Sequence, residues 1–146
     1  MKHAPRGWSH VAAGIFYEDA NQAIDWLCRV FGFRLRVKVD DGKGRVVHSE
    51  LTFGDSTLMV NSAGKGNGIT GKPPGREAQD HYLMVYVDDV DAHHRRVVEA
   101  GAKILQPLAT SDHGPEHWDD RSYGVEDLEG RRWWFAQRLR EPGERR

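Results

Sequence analysis

Cysteine is almost absent from this chain, with Cys28 the only one among 146 residues. A lone cysteine cannot form an internal disulfide, and it favours a reducing compartment such as the cytoplasm. Long hydrophobic runs are also missing: the run Leu83-Met84-Val85 is far shorter than the roughly 20 residues that span a bilayer. The first residues lead into no hydrophobic segment of the signal-peptide kind. We therefore expect a cytoplasmic protein without a membrane partner.

An excess of charge of either sign is missing as well. Lys and Arg number 21 and Asp and Glu number 22, which gives a net charge of −1. A dedicated nucleic-acid binder needs a surplus of positive charge, so nucleic acid is not an expected partner. A chain of this length can bury roughly 68–70% of its unfolded surface, so it needs no disulfide or metal merely to fold.

The first half of the chain predicts one strand, one helix and three further strands. Residues 10–17 are largely apolar, and Asp19 can cap a helix that carries apolar residues at three-and-four spacing and ends before Gly32. Residues 33–39 alternate apolar and basic residues, which predicts a half-buried strand. Residues 46–53 and 57–60 predict a hairpin that turns at Gly54.

The second half repeats this order after a segment rich in Gly and Pro over 62–80. Residues 82–87 predict a strand, residues from Asp88 to about Ala100 a capped helix, and 103–108, 122–126 and 132–137 three strands. We interpret 109–120 as a polar loop and the charged residues from 138 onward as a frayed tail.

The repeated order indicates a duplicated β-α-β-β-β module. The predicted modules cover 8–61 and 81–138 of a single domain over 1–146, with a linker at 62–80 and a charged tail at 139–146. One such module has a small core and open sheet edges, so we expect the two to pack together in an α+β fold.

Motifs that span both modules resemble those of the vicinal oxygen chelate superfamily, which holds glyoxalases, bleomycin-resistance proteins and extradiol dioxygenases. The motifs are Asp19–Phe33, Gly54–Val60, Val87–Ala92, Gly101-Ala102 and Asp127–Phe135. The opening Pro5-Arg-Gly-Trp8 and the closing Gly-x-x-Trp-x-Phe pattern are most similar to the PhnB-like branch. The resemblance implies eight strands that curl into a cup-shaped mixed sheet with the helices outside.

The resemblance also places four metal-facing positions on the floor of the cup. They fall at Ala12, at or next to Met59, at Tyr82 and at Trp134. Metal-dependent members carry His, Gln or Glu there, and none of these four side chains is a usual ligand of a divalent ion. We therefore expect no metal or other cofactor.

Alternation from these four positions predicts the residues that line the cup. The predicted ligand-binding residues are Phe16, His48, Glu50, Met59, Tyr82, Met84, Tyr86, Arg132 and Trp134. Asn61 and Tyr123 are further candidates for polar groups of the site. Such a lining is typical of a pocket for a planar or aromatic organic molecule, although the same residues could also fill the cup as a second core.

A metal site at shifted positions stays open as an alternative. His48 and Glu50 share one strand face, and a bulge near His81 could complete a site of two histidines and one carboxylate for one divalent metal. No catalytic residue stands out. His93 and His94 on the second helix are interpreted as solvated, as are most of the strand residues Arg34, Arg36 and Lys38.

Three functions therefore remain possible from the sequence. The first is a metal-free small-molecule-binding protein of the bleomycin-resistance type. The second is a metal-dependent lyase, isomerase or dioxygenase, and the third is a ligand-free accessory domain. The resemblance and the open sheet edges together predict a homodimer.

Overall fold

The computed structural model of the protein describes residues 1–64 and 81–144. The first half forms β1 (Gly14–Tyr17), α1 (Ala20–Trp26), β2 (Arg34–Asp40), β3 (Val46–Phe53) and β4 (Ser56–Ser62). The second half forms β5 (Leu83–Tyr86), α2 (Val90–Glu99), β6 (Ile104–Asp112), β7 (Asp119–Glu126) and β8 (Arg132–Arg140). The strands form two four-stranded sheets with the equivalent orders β1-β4-β3-β2 and β5-β8-β7-β6. The predicted α+β class and the repeated β-α-β-β-β order are confirmed.

The chain divides into two compact units, residues 1–74 and residues 75–146. In each unit the first strand pairs in parallel with the last, and the other neighbours pair antiparallel. The predicted linker at 62–80 falls mostly outside the described residues, although its first residue, Ser62, belongs to β4. Neither helix in the described ranges is long and apolar enough to cross a membrane.

Helix α1 begins and ends where the sequence predicts. The Asp19 carboxylate accepts a hydrogen bond from the backbone N–H of Gln22, which satisfies one free donor of the first turn. The helix continues as a π-helical turn over Leu27–Phe31 and stops at Gly32, whose φ of 91° suits glycine. Its apolar side packs mainly on β1, β3 and β4, next to the buried residues Leu51 and Val60.

The prediction that β2 is half-buried was wrong, because all seven of its residues are exposed. The strand lies at the edge of its sheet, and α1 covers chiefly the three other strands. Leu35 pairs with Leu51 on the side of α1, whereas the register shift after Leu35 pairs Val37 with Glu50 and Val39 with His48 on the opposite side of the sheet, which α1 does not cover. All three apolar side chains are exposed.

Helix α2 covers one face of the second sheet. Asp89 caps it by accepting a hydrogen bond from the backbone N–H of Ala92, and Gly101 follows its end with a φ of 82°. The face beneath it carries the fully buried residues Tyr123, Val125, Trp133 and Phe135. His93 of α2 stacks on Phe135, with 4.3 Å between the ring centroids.

The last three strands are longer than the sequence predicts. Pairing of β6 with β7 continues from Ala109 to Asp112, so much of the predicted polar loop at 109–120 is strand. Strand β8 runs to Arg140, so the prediction of a frayed tail from residue 138 was wrong for its first residues. The cause is a buried ion pair: Arg140 lies 2.9 Å from Asp119 and is only 6% exposed.

Trp133 is the largest fully buried side chain, and its indole N–H donates to the Asp127 carboxylate at 3.0 Å. We expect Trp133→Ala to lower the free energy of unfolding by about 3–5 kcal/mol, because it leaves a cavity next to Phe135. The neighbouring Trp134→Ala is the control and should cost only about 1–2 kcal/mol, since Trp134 is partly exposed. Urea unfolding of both variants measures the difference. Equal losses, or the reverse order, would contradict this assignment of faces.

Candidate functional site

The face of each sheet that lies opposite its helix is called here the open face. Strand register assigns the residues: side chains of paired residues point to the same face, and successive residues alternate. In the first sheet, Gly14 and Glu50 both pair with Met59. The first open face therefore carries Gly14, Phe16, His48, Glu50, Met59 and Asn61. The predicted residues of the first module do lie on one face.

The apolar part of the first open face is formed by β1 and β4. Phe16 pairs with Asn61 and lies two residues from Gly14, which pairs with Met59. Phe16 and Met59 are both partly exposed. Asn61 accepts a hydrogen bond from the backbone N–H of Ser49 at 3.0 Å, so its carbonyl oxygen holds β3 against β4. The side-chain NH2 group of Asn61 is the part that can bind another partner.

The polar part of the first open face is a cluster of Arg36, His48 and Glu50, called here the β3 cluster. One Glu50 oxygen accepts two hydrogen bonds from Arg36, at 2.8 and 3.0 Å, and the other lies 2.8 Å from Nε2 of His48. The Glu50 side chain is only 15% exposed, against 29% for Arg36 and 39% for His48. The carboxylate is thus fixed from two sides while the imidazole reaches solvent.

These contacts lower the pKa of Glu50 below its ordinary value of 4.5, first through the hydrogen bond from His48 and then through that from Arg36. A lowered carboxyl pKa stabilises the folded protein above the ordinary pKa, and the contribution is lost as the pH falls through the folded-state value. The cluster is therefore intact, with an ionised Glu50, at neutral pH.

Arg36 was missed, because the sequence pattern places it among solvated strand residues. A register shift between Leu35 and Val37 inserts Arg36 as an extra residue into β2, so that Arg36 and Val37 both lie opposite Glu50. Arg36 also donates to the carbonyl oxygen of Gly7 and lies 5.3 Å from the ring centroid of Trp8. The N-terminal residues therefore contact the first open face, a feature that no local pattern signals.

The second open face carries Met84, Tyr86 and Trp134. Met84 pairs with Trp134, and Tyr86 with Ala136, along the parallel strands β5 and β8. Arg132 lies two residues before Trp134 on β8, so it shares the face, and it is exposed. The face therefore combines aromatic side chains with a methionine and with arginine side chains.

Tyr82 and Ala12 lie just outside the strands to which the sequence assigned them. Strand β5 begins at Leu83 and β1 at Gly14. The first contact of β1 with β4 is the hydrogen bond from the Met59 N–H to the Ala13 carbonyl oxygen, one residue beyond Ala12. Tyr82 is 63% exposed. Ala12 and Tyr82 both precede the first paired residue of their strands. Backbone pairing with a neighbouring strand therefore fixes neither of them.

A polar network closes one end of the second open face. Arg138 donates to Asp120 at 2.7 Å and to the Tyr86 hydroxyl at 2.8 Å, and that hydroxyl donates to Asp120 at 3.1 Å. The guanidinium also lies 5.3 Å from the ring centroids of Tyr86 and Trp118. The Asp120 carboxylate raises the pKa of Arg138. Sequence reasoning missed this network because it ended β8 at Gln137.

Tyr123 is not a residue of the open face, so its prediction as a polar site group was wrong. Its register with Phe135 places it beneath α2, where its hydroxyl lies 2.7 Å from Nδ1 of His93. Burial raises the pKa of Tyr123. His93 is accordingly packed against the sheet and is not a solvated helix residue.

Trp134 has a close neighbour in Gly124, its partner on β7. A Cβ atom at residue 124 would lie 2.6 and 2.8 Å from two carbon atoms of the indole. These distances are too short for real atoms, so glycine at this position is what allows the ring to lie where it does. The position of the Trp134 indole therefore depends on the absence of a side chain at Gly124, its neighbour across the strands.

The side chains at the four family positions do not fit a divalent ion. Ala12 has no donor atom, the indole of Trp134 only donates, and Met59 offers a thioether that suits soft metals. Within residues 1–64 and 81–144, no group of three or more His, Cys, Asp or Glu side chains is placed to hold a metal. The shifted set His48, Glu50 and His81 is not such a group.

Gly124→Ala should push the Trp134 ring aside and destabilise the protein by about 1–3 kcal/mol, the usual cost of overpacking. Gly14→Ala is the matched control on the first open face. There the new methyl would lie 3.7 Å from the flexible end of Met59, an ordinary contact. We expect it to be neutral or to stabilise by up to about 1 kcal/mol, through a less flexible unfolded chain.

Chemical denaturation followed by Trp fluorescence measures both variants. The prediction fails if Gly124→Ala is as well tolerated as Gly14→Ala, because the Trp134 ring would then have room elsewhere.

Comparison with known proteins gives many solved structures of the same fold, three of which are TioX, TnmS3 and a protein from Alicyclobacillus acidocaldarius. TioX from Micromonospora sp. ML1 is 36% identical, with 88% of this chain and 95% of that chain covered and a TM-score of 0.68. TnmS3, an antibiotic binding protein from Streptomyces sp. CB03234, is 22% identical, with 89% and 96% covered and a TM-score of 0.65. A glyoxalase/bleomycin resistance protein/dioxygenase from Alicyclobacillus acidocaldarius is 14% identical, with 88% and 90% covered and a TM-score of 0.61.

A comparison with curated protein sequences gave no match. The sequence profile of the Glyoxalase/Bleomycin resistance protein/Dioxygenase superfamily, in contrast, matches residues 7–135. The resemblance to the superfamily is confirmed, while the narrower assignment to the PhnB-like branch stays a prediction. With the duplicated modules and the profile in agreement over most of its length, the chain belongs to the glyoxalase/bleomycin-resistance/dioxygenase superfamily.

Proposed function

We propose that the protein is a small-molecule-binding member of its superfamily, which binds a planar or aromatic organic ligand on its open faces without a resident metal. The observation that carries the proposal is the composition of the second open face. Trp134, Tyr86 and Met84 lie side by side there, all at least partly exposed. Stacking on aromatic rings favours a flat ligand.

Each open face also carries polar groups that are already oriented by contacts within their own sheet. Glu50 is fixed by Arg36 and His48 on the first open face, and Arg138 is fixed by Asp120 on the second. Ligand sites are typically apolar surfaces with a small number of placed polar groups. A second core would bury Met84 and Tyr86, yet they are 43% and 48% exposed.

The likeness to TnmS3, which is described as an antibiotic binding protein, is in keeping with this proposal. At 22% identity it supports the fold and leaves the ligand open. A catalytic metal at the family positions is disfavoured by the chemistry of Ala12, Met59, Tyr82 and Trp134. The homodimer implied by the resemblance stays a prediction, which the exposed apolar residues of edge strand β2 support.

A panel of planar aromatic compounds and aromatic antibiotics tests the proposal. A ligand that binds should quench Trp fluorescence and raise the melting temperature. At 100 times its dissociation constant it should add about 2.7 kcal/mol to the free energy of unfolding. Trp134→Phe should lose most of the quenching, and Trp134→Ala should weaken binding by roughly 1 kcal/mol or more.

Trp26→Phe is the control for that experiment. Trp26 lies on α1 and packs edge-on against Phe31, away from either open face. It should keep the full response. Quenching that survives in Trp134→Phe would move the site elsewhere, and a panel without any binding compound would favour the accessory domain. A stoichiometric metal with chelator-sensitive lyase activity would favour the enzyme.

A further inference from the structure

We infer that Nδ1 of His48 is a hydrogen-bond acceptor that selects ligands carrying a phenolic hydroxyl or an amide N–H next to their aromatic plane. The inference rests on the proposed function and deepens it, because it names a chemical group that the first open face recognises. It follows from the β3 cluster in three steps.

The first step fixes the position of the imidazole proton. Glu50 is ionised at neutral pH, and an ionised carboxylate can only accept hydrogen bonds. The 2.8 Å contact between Glu50 Oε2 and His48 Nε2 therefore requires a proton on Nε2. In a neutral imidazole the other ring nitrogen, Nδ1, then carries the lone pair and accepts.

The second step fixes the orientation of the ring. Arg36 donates twice to the other oxygen of Glu50, so the carboxylate cannot easily turn away from His48. Arg36 is itself held by the Gly7 carbonyl oxygen at 2.9 Å. The chain Gly7–Arg36–Glu50–His48 thus orients the imidazole before any ligand arrives, which reduces the entropy cost of binding.

The third step concerns what Nδ1 faces. Within residues 1–64 and 81–144 the only polar contact of the His48 ring is that of Nε2 with Glu50, and the side chain is 39% exposed. His48 pairs with Val39, which is exposed and apolar. Glu50, two residues from His48, pairs with Met59, so Met59 lies on the same face as His48. Nδ1 is therefore an oriented acceptor at the border of an apolar surface.

A ligand with a donor at this place replaces the water on Nδ1 by a direct hydrogen bond. A ligand of the same shape without a donor removes the water and leaves Nδ1 unsatisfied. The net value of one such bond corresponds to a difference in affinity of roughly 3- to 10-fold.

A matched pair of probes tests the inference on the full chain. The probes are 2-naphthol and 2-methoxynaphthalene, which share the flat ring system and differ in one hydrogen-bond donor. We expect the parent protein to bind 2-naphthol roughly 3- to 10-fold more tightly than 2-methoxynaphthalene at about pH 8.

Two substitutions separate the two ring nitrogens of His48. In His48→Asn the amide oxygen takes the place of Nδ1, so the preference for 2-naphthol should survive. In His48→Gln the amide group takes the place of Nε2 and keeps the contact with Glu50. The two probes should then bind with about equal affinity. Nitrogen-15 NMR of the parent protein should show the proton of the His48 ring on Nε2, a readout that needs no variant to fold.

The outcomes separate the inference from the proposed function. Equal affinities of the two probes for the parent protein overturn the inference and leave the proposed function standing, as does a proton on Nδ1 of the free protein. A preference that persists in His48→Gln also overturns it. If neither naphthalene binds, the proposed site for flat aromatic ligands is contradicted, and the inference falls with it.

Discussion

Trp133 and Trp134 are neighbours in the chain, yet they lie on opposite faces of the second sheet because successive side chains of a strand alternate. Trp133 is buried beneath α2 and bonded to Asp127, while Trp134 rests over Gly124 on the open face. The same alternation places Leu51 and Glu50 on opposite faces of the first sheet. Each four-stranded sheet therefore buries a core on one side and presents a different set of side chains on the other, which is the side proposed to bind a ligand.

Ionic and hydrogen-bonded contacts maintain the open faces without burying them. The β3 cluster on the first sheet and the network of Tyr86, Asp120 and Arg138 on the second pair every charge with a partner. Exposed ion pairs add little stability by themselves, generally less than about 1 kcal/mol each. Their effect here is to orient a few polar groups beside apolar and aromatic side chains, which is the composition expected of a ligand site.

The sequence predicted what short-range patterns control. The cap at Asp19 and the helix end at Gly32 were correct, because each depends on neighbouring residues. It failed where distant contacts decide. The contact of Arg36 with Glu50, the extension of β8 to Arg140 and the burial of Tyr123 depend on partners many residues away.

The three methionines provide the most direct measurement of the central claim, that the open faces bind the ligand. Met59 lies on the first open face and Met84 on the second, whereas Met1 is fully exposed at the N-terminus. Titration of protein labelled with carbon-13 at the methionine methyl groups, with a planar aromatic compound found to bind, should shift the signal of Met59, of Met84 or of both, and leave Met1 unchanged. Binding that leaves both the Met59 and the Met84 signals in place would contradict the account.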